Sequence, residues 1–209
     1  PSTLHLKLET LQIRRAKIIA SNANSIEKIY WLIEDCKRYG TLPFAGLARV
    51  GFVAIQMLKS LVHVGVFTNE DYNNFISGTQ TIGGQLANDR IILNKAAFLE
   101  KYGHLRPGTY NISSYRYDEA PDAYFDWDGP TSQRKIPKPF TLKLSQMREV
   151  RRLLEEHNLA VDPLELMDFI QTGIELRETA KFHFSHNLSD SLSLMTEVRA
   201  NFGFKKSDL

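Results

Sequence analysis

Apolar side chains recur at helical spacing along most of this chain, and that periodicity constrains the fold more than any other feature. Residues 4–20 follow the pattern of an amphipathic helix, and Asn24 followed by Glu27 has the spacing of a capping box. The pattern fails once, over about 103–140, where repeated prolines exclude a regular helix. The sequence therefore predicts an all-α fold, a helical bundle with one long irregular loop at about 103–140.

Glycine and proline positions predict where the helices end. The helix that starts after Asn24 is expected to stop at Gly40, and a further helix to run from Thr41 to Gly65. A single helix over 86–102 is expected to end at Gly103, which would adopt a left-handed cap conformation.

The last part of the chain, 141–209, is predicted to contain the C-terminal helices. Asp162 and Pro163, with Glu165 following, combine an N-cap, a proline at the first helical position and an acid in the first turn. The helical pattern then continues past Leu194, with a break expected over 187–189. The long segment 103–140 is expected to be an ordered loop rather than a disordered one, because tyrosines and Trp127 can pack it, with Trp127 as its anchor.

Composition limits the function classes. The chain has 209 residues, 43% of them hydrophobic, and its 26 basic and 24 acidic residues balance to a net charge of +2. Such a balance does not favour a nucleic-acid or membrane partner, and no apolar run approaches the ~20 residues of a membrane span. The single cysteine, Cys36, cannot form an intrachain disulfide, which favours a reducing, cytoplasmic setting and a buried, inert thiol. Because the chain begins with Pro1, we expect 1–209 to be a single helical domain excised from a longer protein.

The long loop holds the first group of candidate site residues. His104 and Arg106 follow the predicted helix end, where a guanidinium can bind phosphate or carboxylate and an imidazole can transfer a proton. Alternatively, His104 caps the preceding helix and Arg106 pairs with Asp118 or Glu119, which would only order the loop.

The second group lies on the last helix. Arg177 and Lys181 are one turn apart, and Glu178 is three residues before Lys181. The three form either a solvated surface ion pair or a partly buried charged site, in which Asp118 and Glu119 of the loop are the expected partners. No metal site is predicted, because His183 and His186 are three residues apart without a third ligand at helical spacing.

At these residues the chain resembles the helical region of the phosphoenolpyruvate synthase and pyruvate phosphate dikinase family, including its rifampin phosphotransferase-like members. The first matching motif runs from Tyr102-Gly103-His104 through Pro107-Gly108 to Arg116-Tyr117-Asp118-Glu119. The second is an Arg-Glu-x-x-Lys helix, matched by Arg177, Glu178 and Lys181.

The resemblance implies a place between an ATP-grasp domain and a swivelling phosphohistidine domain of the same polypeptide. It implies ATP and Mg²⁺ for the full-length protein, a small-molecule acceptor, and no cofactor held by this segment, which is not expected to turn over ATP alone. In this interpretation Arg106, Arg116, Arg177 and Lys181 bind phosphate or substrate, and His104 is the candidate catalytic acid or base. Gly103, Asp118, Glu119, Trp127 and Glu178 then support the site. His186 lacks the flanking residues of a phosphohistidine. The rival hypothesis is an autonomous helical protein-interaction module with no catalytic role.

Overall fold

The computed structural model describes residues 2–127 and 140–203, with side chains from residue 6 onward. No strand occurs within these ranges, and the predicted all-α fold is confirmed. The helices are α1 (Ser2–Ala20), α2 (Ser25–Asp35), α3 (Leu42–His63), α4 (Asn69–Gly78), α5 (Ile82–Ile92), α6 (Lys95–Tyr102), α7 (Pro121–Tyr124), α8 (Leu144–Glu156) and α9 (Pro163–Asn201).

The chain forms two compact units, whereas the sequence predicts a single helical domain. Unit 1 comprises Pro1–Ala45, Leu86–Ser132 and Ala180–Leu209, and unit 2 comprises Gly46–Gln85 and Gln133–Thr179. The helices α3, α5 and α9 each contribute residues to both units.

Unit 2 contains a hydrophobic core built from α3, α4, α8 and α9. Ala54 and Leu58 of α3 and Ile170 of α9 are fully buried in it. A Cβ atom at Gly173 would lie 3.1 Å from Cγ1 of Val50, so glycine lets α9 approach α3 closely. Phe140, where the described chain resumes, packs edge-on against Phe67 and Phe75 of this core.

Helix starts follow the sequence signals closely. The predicted capping box forms at α2, where Glu27 N–H donates to Oδ1 of Asn24 at 3.0 Å and Asn24 N–H donates to Oε2 of Glu27 at 3.1 Å. At α9, Asp162 N–H donates to Oε2 of Glu165 at 2.9 Å, and Pro163 is the first helical residue.

The expected helix stop at Gly40 is wrong. The chain continues from α2 into α3 through a π-helical turn, Cys36–Thr41, whose wider winding is seen in the bond from Leu42 N–H to the Lys37 carbonyl. Gly40 is required for packing, since a Cβ atom there would lie 2.6 Å from Cβ of Phe184. Cys36 is 6% exposed in the same cluster, which also contains Leu11 and Phe184, so its predicted burial is confirmed.

Two further helix boundaries differ from the prediction. The expected single helix over 86–102 is interrupted after α5, because the side chain of Asn94 accepts the Ala97 N–H at 2.9 Å and caps a new helix, α6. The expected break over 187–189 is absent, since α9 runs unbroken from Pro163 to Asn201. The polar side chains there make tertiary bonds instead: Asn187 donates to the Leu32 carbonyl at 3.2 Å, and Ser189 donates to the His104 carbonyl at 2.6 Å.

One helical stretch is long and apolar enough to span a membrane, whereas the sequence pattern predicts no such segment. By length and composition Ser25–His63, with a most apolar window of mean hydropathy 1.4, is long and apolar enough to cross a bilayer. Core helices of soluble proteins share these properties, and Ala54, Leu58 and Leu61 of this stretch belong to the core of unit 2.

Candidate functional site

The loop that follows α6 is fastened to α9 by a group of polar and charged side chains within unit 1. We call this group the loop–α9 network; its members are His104, Arg106, Arg116, Asp118 and Glu119 from the loop and Ser185, Ser189, Asp190 and Ser193 from α9. Two backbone bonds close the loop on itself, from Tyr117 N–H to the Leu105 carbonyl at 2.8 Å and from Asp118 N–H to the Gly103 carbonyl at 3.1 Å. The residues of the first sequence motif therefore form one hydrogen-bonded loop.

Arg106 is the most buried cation of this network, with 7% of its surface exposed. Its Nη1 donates to the Ser114 carbonyl at 3.1 Å, and its Nη2 contacts Ser189 O and Oγ and Ser193 Oγ, each at 3.2 Å. Burial lowers the pKa of the Arg106 guanidinium from its usual value. The expected pairing of Arg106 with Asp118 or Glu119 is not found, since Arg106 bonds neutral oxygen atoms within the described residues.

Arg116 joins the loop to α9 through carboxylates. Its Nε and Nη2 form a two-pronged bond to Asp118 at 2.9 and 2.6 Å, and its Nη1 donates to Oδ1 of Asp190 at 2.8 Å. The other oxygen of Asp190 accepts a bond from Nε of Arg15 in α1 at 2.6 Å. Asp190 therefore links three elements, and it is only 6% exposed.

His104 is the most buried loop residue of this network and lies away from solvent. It is 3% exposed, its ring stacks on that of His186 with centroids 3.3 Å apart, and Nε2 lies 3.3 Å from Oγ of Ser185. Burial, reinforced by His186 and the nearby arginines, lowers the pKa of His104 to about 2. Burial likewise lowers the pKa of His186 to about 3. A buried imidazole that is neutral at pH 7 lacks the acidic second ring proton and has no access to a ligand in solvent, which favours positioning of the loop as the role of His104.

Gly103 meets a different requirement from the predicted left-handed cap. Its backbone is right-handed helical, with φ −56° and ψ −33°, so the cap prediction is wrong. Glycine is needed because a Cβ atom there would lie 2.9 Å from Cβ of Asp118 and 3.0 Å from its Oδ2. The residue that does adopt a positive φ in the loop is Gly108, at 65°, in the turn closed by Asn111 N–H and the Gly108 carbonyl.

We expect Gly103→Val to destabilise the protein by about 1–3 kcal/mol, because the added carbon atoms would push Asp118 away from Arg116. Urea unfolding followed by circular dichroism measures this change. Gly83→Val is the matched control, since a Cβ atom at Gly83 meets nothing within 4 Å. Equal midpoints for the two variants would contradict the close-approach explanation.

A pocket of about 210 Å³ opens beside the network, between the loop and the C-terminal turns of α9. We call it the loop–α9 pocket. It is lined on the loop side by Arg106, Ile112 and Glu119 and on the α9 side by Ser193, Thr196 and Glu197. The Glu119 carboxylate accepts Arg116 N–H at 2.9 Å and the Ser193 hydroxyl at 2.7 Å. Burial alone would raise the pKa of Glu119, but these bonds and the nearby arginines lower it. Glu119 is therefore ionised at neutral pH.

The second sequence motif lies earlier on α9. Arg177 pairs with Glu178 at 3.7 Å, and its guanidinium lies 5.3 Å from the ring centroid of Phe52. Its stem covers Gly51, where a Cβ atom would lie 2.8 Å from Cδ of Arg177. Lys181 is half-buried, without an anionic partner in the part of the chain that the structure describes. The expectation that Asp118 and Glu119 pair with Lys181 is wrong, because within unit 1 they bond Arg116 and Ser193 instead.

The expected anchor of the loop, Trp127, contacts an aromatic group in unit 1. Its ring lies 5.6 Å from that of Phe98 and 5.3 Å from that of Phe125. The guanidinium of Arg90 lies 4.2 Å from the Trp127 ring, and Phe98 is fully buried. The remainder of the predicted loop, 128–139, lies outside the described residues.

A larger cavity, of about 280 Å³, lies in unit 2 between α3 and α8. Leu61, Val150 and Leu154 are typical of its lining, and Ser60 and His157 are its polar groups. It lacks a charged partner for proton or phosphoryl transfer, so the loop–α9 pocket is the better candidate despite its smaller size.

Comparison with known proteins leaves the site to be interpreted from its own chemistry. No family model, no curated protein and no solved structure matches the chain. Within the described ranges, no group of three or more His, Cys, Asp or Glu side chains could hold a metal ion.

Five residues of this site were not predicted from the sequence: the network members Ser185, Ser189, Asp190 and Ser193, and Arg15, which bonds Asp190. A signal for four of them was present, because Ser185, Ser189 and Ser193 recur every four residues and Asp190 follows His186 at the same interval. Polar residues at this spacing on an otherwise apolar helix place one polar stripe on a buried face. Arg15 had no comparable signal.

Proposed function

We propose that this chain is the helical domain of a phosphoenolpyruvate synthase-like phosphotransferase and that the loop–α9 pocket receives the acceptor. In this proposal ATP-grasp and phosphohistidine domains belong to the same polypeptide and supply the phosphoryl group. The proposal rests on one observation: residues of a single motif come together in a network that borders a pocket. These residues are Gly103, His104, Arg116, Asp118 and Glu119.

The geometry separates the candidate residues into different roles. Arg116 and His104 hold the loop in place, because the Arg116 guanidinium bonds Asp118 and Asp190 and Nε2 of the buried His104 ring contacts Ser185. Arg106 lines the pocket and fixes its wall. Lys181 does not line the pocket and lies about three turns before Ser193 on α9; in this proposal it neutralises the charge of the phosphoryl group carried by the phosphohistidine domain.

The gene that encodes this chain tests the proposal directly. We expect the flanking coding sequence to specify an ATP-grasp domain and a phosphohistidine domain. We also expect the complete polypeptide to incorporate radioactive phosphate from γ-labelled ATP into a histidine. A gene without such domains, or a complete protein that is never phosphorylated, would refute the proposal.

In the complete protein, we expect Lys181→Ala to lower the rate of phosphoryl transfer by at least about tenfold, or about 1.4 kcal/mol of transition-state stabilisation. The melting temperature should barely change, because Lys181 has no anionic partner among the described residues. Lys59→Ala, which removes an exposed lysine from α3, is the control. Unfolding of the Lys181 variant, with unchanged activity per folded molecule, would make the lysine structural.

The alternative, an autonomous helical interaction module, is favoured by one observation. Phe52 and Val53, adjacent on α3, are 61% and 51% exposed. Neighbouring apolar side chains of this size on a surface are typical of protein contacts. A gene that encodes no phosphotransferase domains would make this alternative the better account.

A further inference from the structure

The hydrogen-bond donors and acceptors of the loop–α9 pocket are unequally available to a ligand. Arg106 has five N–H donors, of which one on Nε, one on Nη1 and both on Nη2 have acceptors in the protein. One Nη1 donor is left. The Arg106 guanidinium therefore mainly stabilises the wall of the pocket.

The hydroxyl groups on the α9 side are also committed as donors. Ser193 donates its hydrogen to Glu119 at 2.7 Å, and Thr196 donates its hydrogen to the Leu192 carbonyl at 3.0 Å. Each hydroxyl has a single hydrogen, so both present lone pairs to the pocket. Of the two, Ser193 Oγ already accepts from Arg106.

The two carboxylates retain most of their capacity to accept. A carboxylate offers about four acceptor positions. Glu119 uses two of them, for Arg116 N–H and Ser193. Glu197 has no polar partner among the described residues and is exposed at the pocket rim. Glu119 and Glu197 together outweigh Arg106, so the charge of the lining is −1.

From this inequality we propose that the loop–α9 pocket binds a polyhydroxylated, ring-sized ligand and favours one with an ammonium group, as in an amino sugar. Such a ligand donates hydrogen bonds where the pocket offers lone pairs, and its cation meets an excess of carboxylate.

The size of the pocket sets the size of the ligand. At about 210 Å³ it is smaller than the about 300–1,000 Å³ of pockets for drug-sized molecules, which suits a single ring. This inference rests on the proposed function in naming the ligand as the acceptor. A ligand hydroxyl oxygen would form the new O–P bond as the N–P bond of the phosphohistidine breaks, and the hydroxyl proton would pass to the imidazole that is released. Binding itself needs neither ATP nor the other domains.

Three monosaccharides of similar shape test the inference: glucosamine, glucose and glucuronate, which are cationic, neutral and anionic at pH 7. We expect the 209-residue chain to bind them in that order of decreasing affinity, measured by titration in ¹⁵N–¹H correlation spectra. The amide signals of Ile112, Thr196 and Glu197 should shift. Tightest binding of glucuronate, binding of none of the three, or shifts elsewhere would overturn the inference.

Glu197→Gln tests the charge preference at one side chain. Because Glu197 is exposed and has no polar partner among the described residues, the substitution leaves the fold intact. We expect it to weaken glucosamine binding about two- to fivefold and to leave glucose binding unchanged. The control Glu100→Gln removes the same charge from an exposed position on α6 and should change neither affinity.

The outcomes distinguish this inference from the proposed function. Phosphoryl transfer by the complete protein without sugar binding would refute the ligand class alone. Sugar binding in a protein that lacks phosphotransferase domains would refute the proposed function and leave a carbohydrate-binding module. Equal loss of affinity in the Glu197 and Glu100 variants would refute the role of the pocket carboxylate.

Discussion

We expect the stability of the protein to fall by about 5 kcal/mol between pH 6.5 and pH 4.5, because two buried histidines resist protonation. The pKa of His104 is lowered to about 2 and that of His186 to about 3, chiefly by burial. An unfolded chain protonates both imidazoles with a pKa near 6.5. Below that pH the unfolded state binds more protons than the folded state, so each histidine costs about 1.4 kcal/mol per pH unit.

The pH range of this effect is specific to the histidine pair. Stability is fully present above pH 6.5 and is lost as the pH falls toward the folded pKa values. Asp71, Asp89 and Glu119, whose pKa values are lowered, add their own loss at lower pH, below the ordinary carboxylate range. The interval from pH 6.5 to 4.5 therefore reports mainly on His104 and His186.

Urea unfolding at half-unit pH steps measures the dependence. His186→Gln should reduce the slope by about half, because one of the two protonation sites is removed. His157→Gln, at an exposed position in unit 2, should leave the slope unchanged. A wild-type stability that is flat between pH 6.5 and pH 4.5 would show that the histidines are not buried as a neutral pair.

We expect Asp190→Ala to destabilise the protein by about 3–5 kcal/mol, because it leaves two arginines without their shared carboxylate. Arg116 and Arg15 both bond Asp190, and their side chains are 14% and 28% exposed. The loss should exceed that of an ordinary ion pair, since a partly buried guanidinium cannot recover its full hydration.

An exposed ion pair of similar geometry is the control for this variant. Lys95 and Asp122 lie 2.5 Å apart, but Asp122 is 74% exposed, so Asp122→Ala should cost at most about 1 kcal/mol. The free energy of unfolding from urea titrations compares the two. Similar losses for both variants would mean that Asp190 contributes no more than a surface carboxylate.

Helix periodicity and local capping signals were sufficient to predict the all-α fold and several helix starts. The start of α9 was predicted because its determinants, Asp162, Pro163 and Glu165, lie within four positions of one another. Gly40 and Gly103 were misinterpreted because their function depends on Phe184 and Asp118, which are distant in sequence. Interactions between neighbouring residues can be predicted from one sequence, whereas contacts between residues far apart in the sequence cannot.

The candidate site was predicted in part for the same reason. The loop motif placed His104, Arg106 and Arg116 in one region, whereas their actual partners on α9 could not be paired with them from spacing alone. Ser189 was instead interpreted as part of a helix break, and Asp190 was not singled out. Serine and aspartate disfavour helix interiors in isolation, and here tertiary hydrogen bonds override that preference.

The burial of Cys36 has a practical consequence for studying this protein. Its thiol is enclosed beside Phe184, and burial raises its pKa, which leaves little reactive thiolate at neutral pH. The chain contains one cysteine. A cysteine introduced in place of Ala200, an exposed residue one turn after Glu197, would therefore be labelled selectively by a thiol-reactive fluorophore, so that emission near the pocket rim reports ligand arrival in real time.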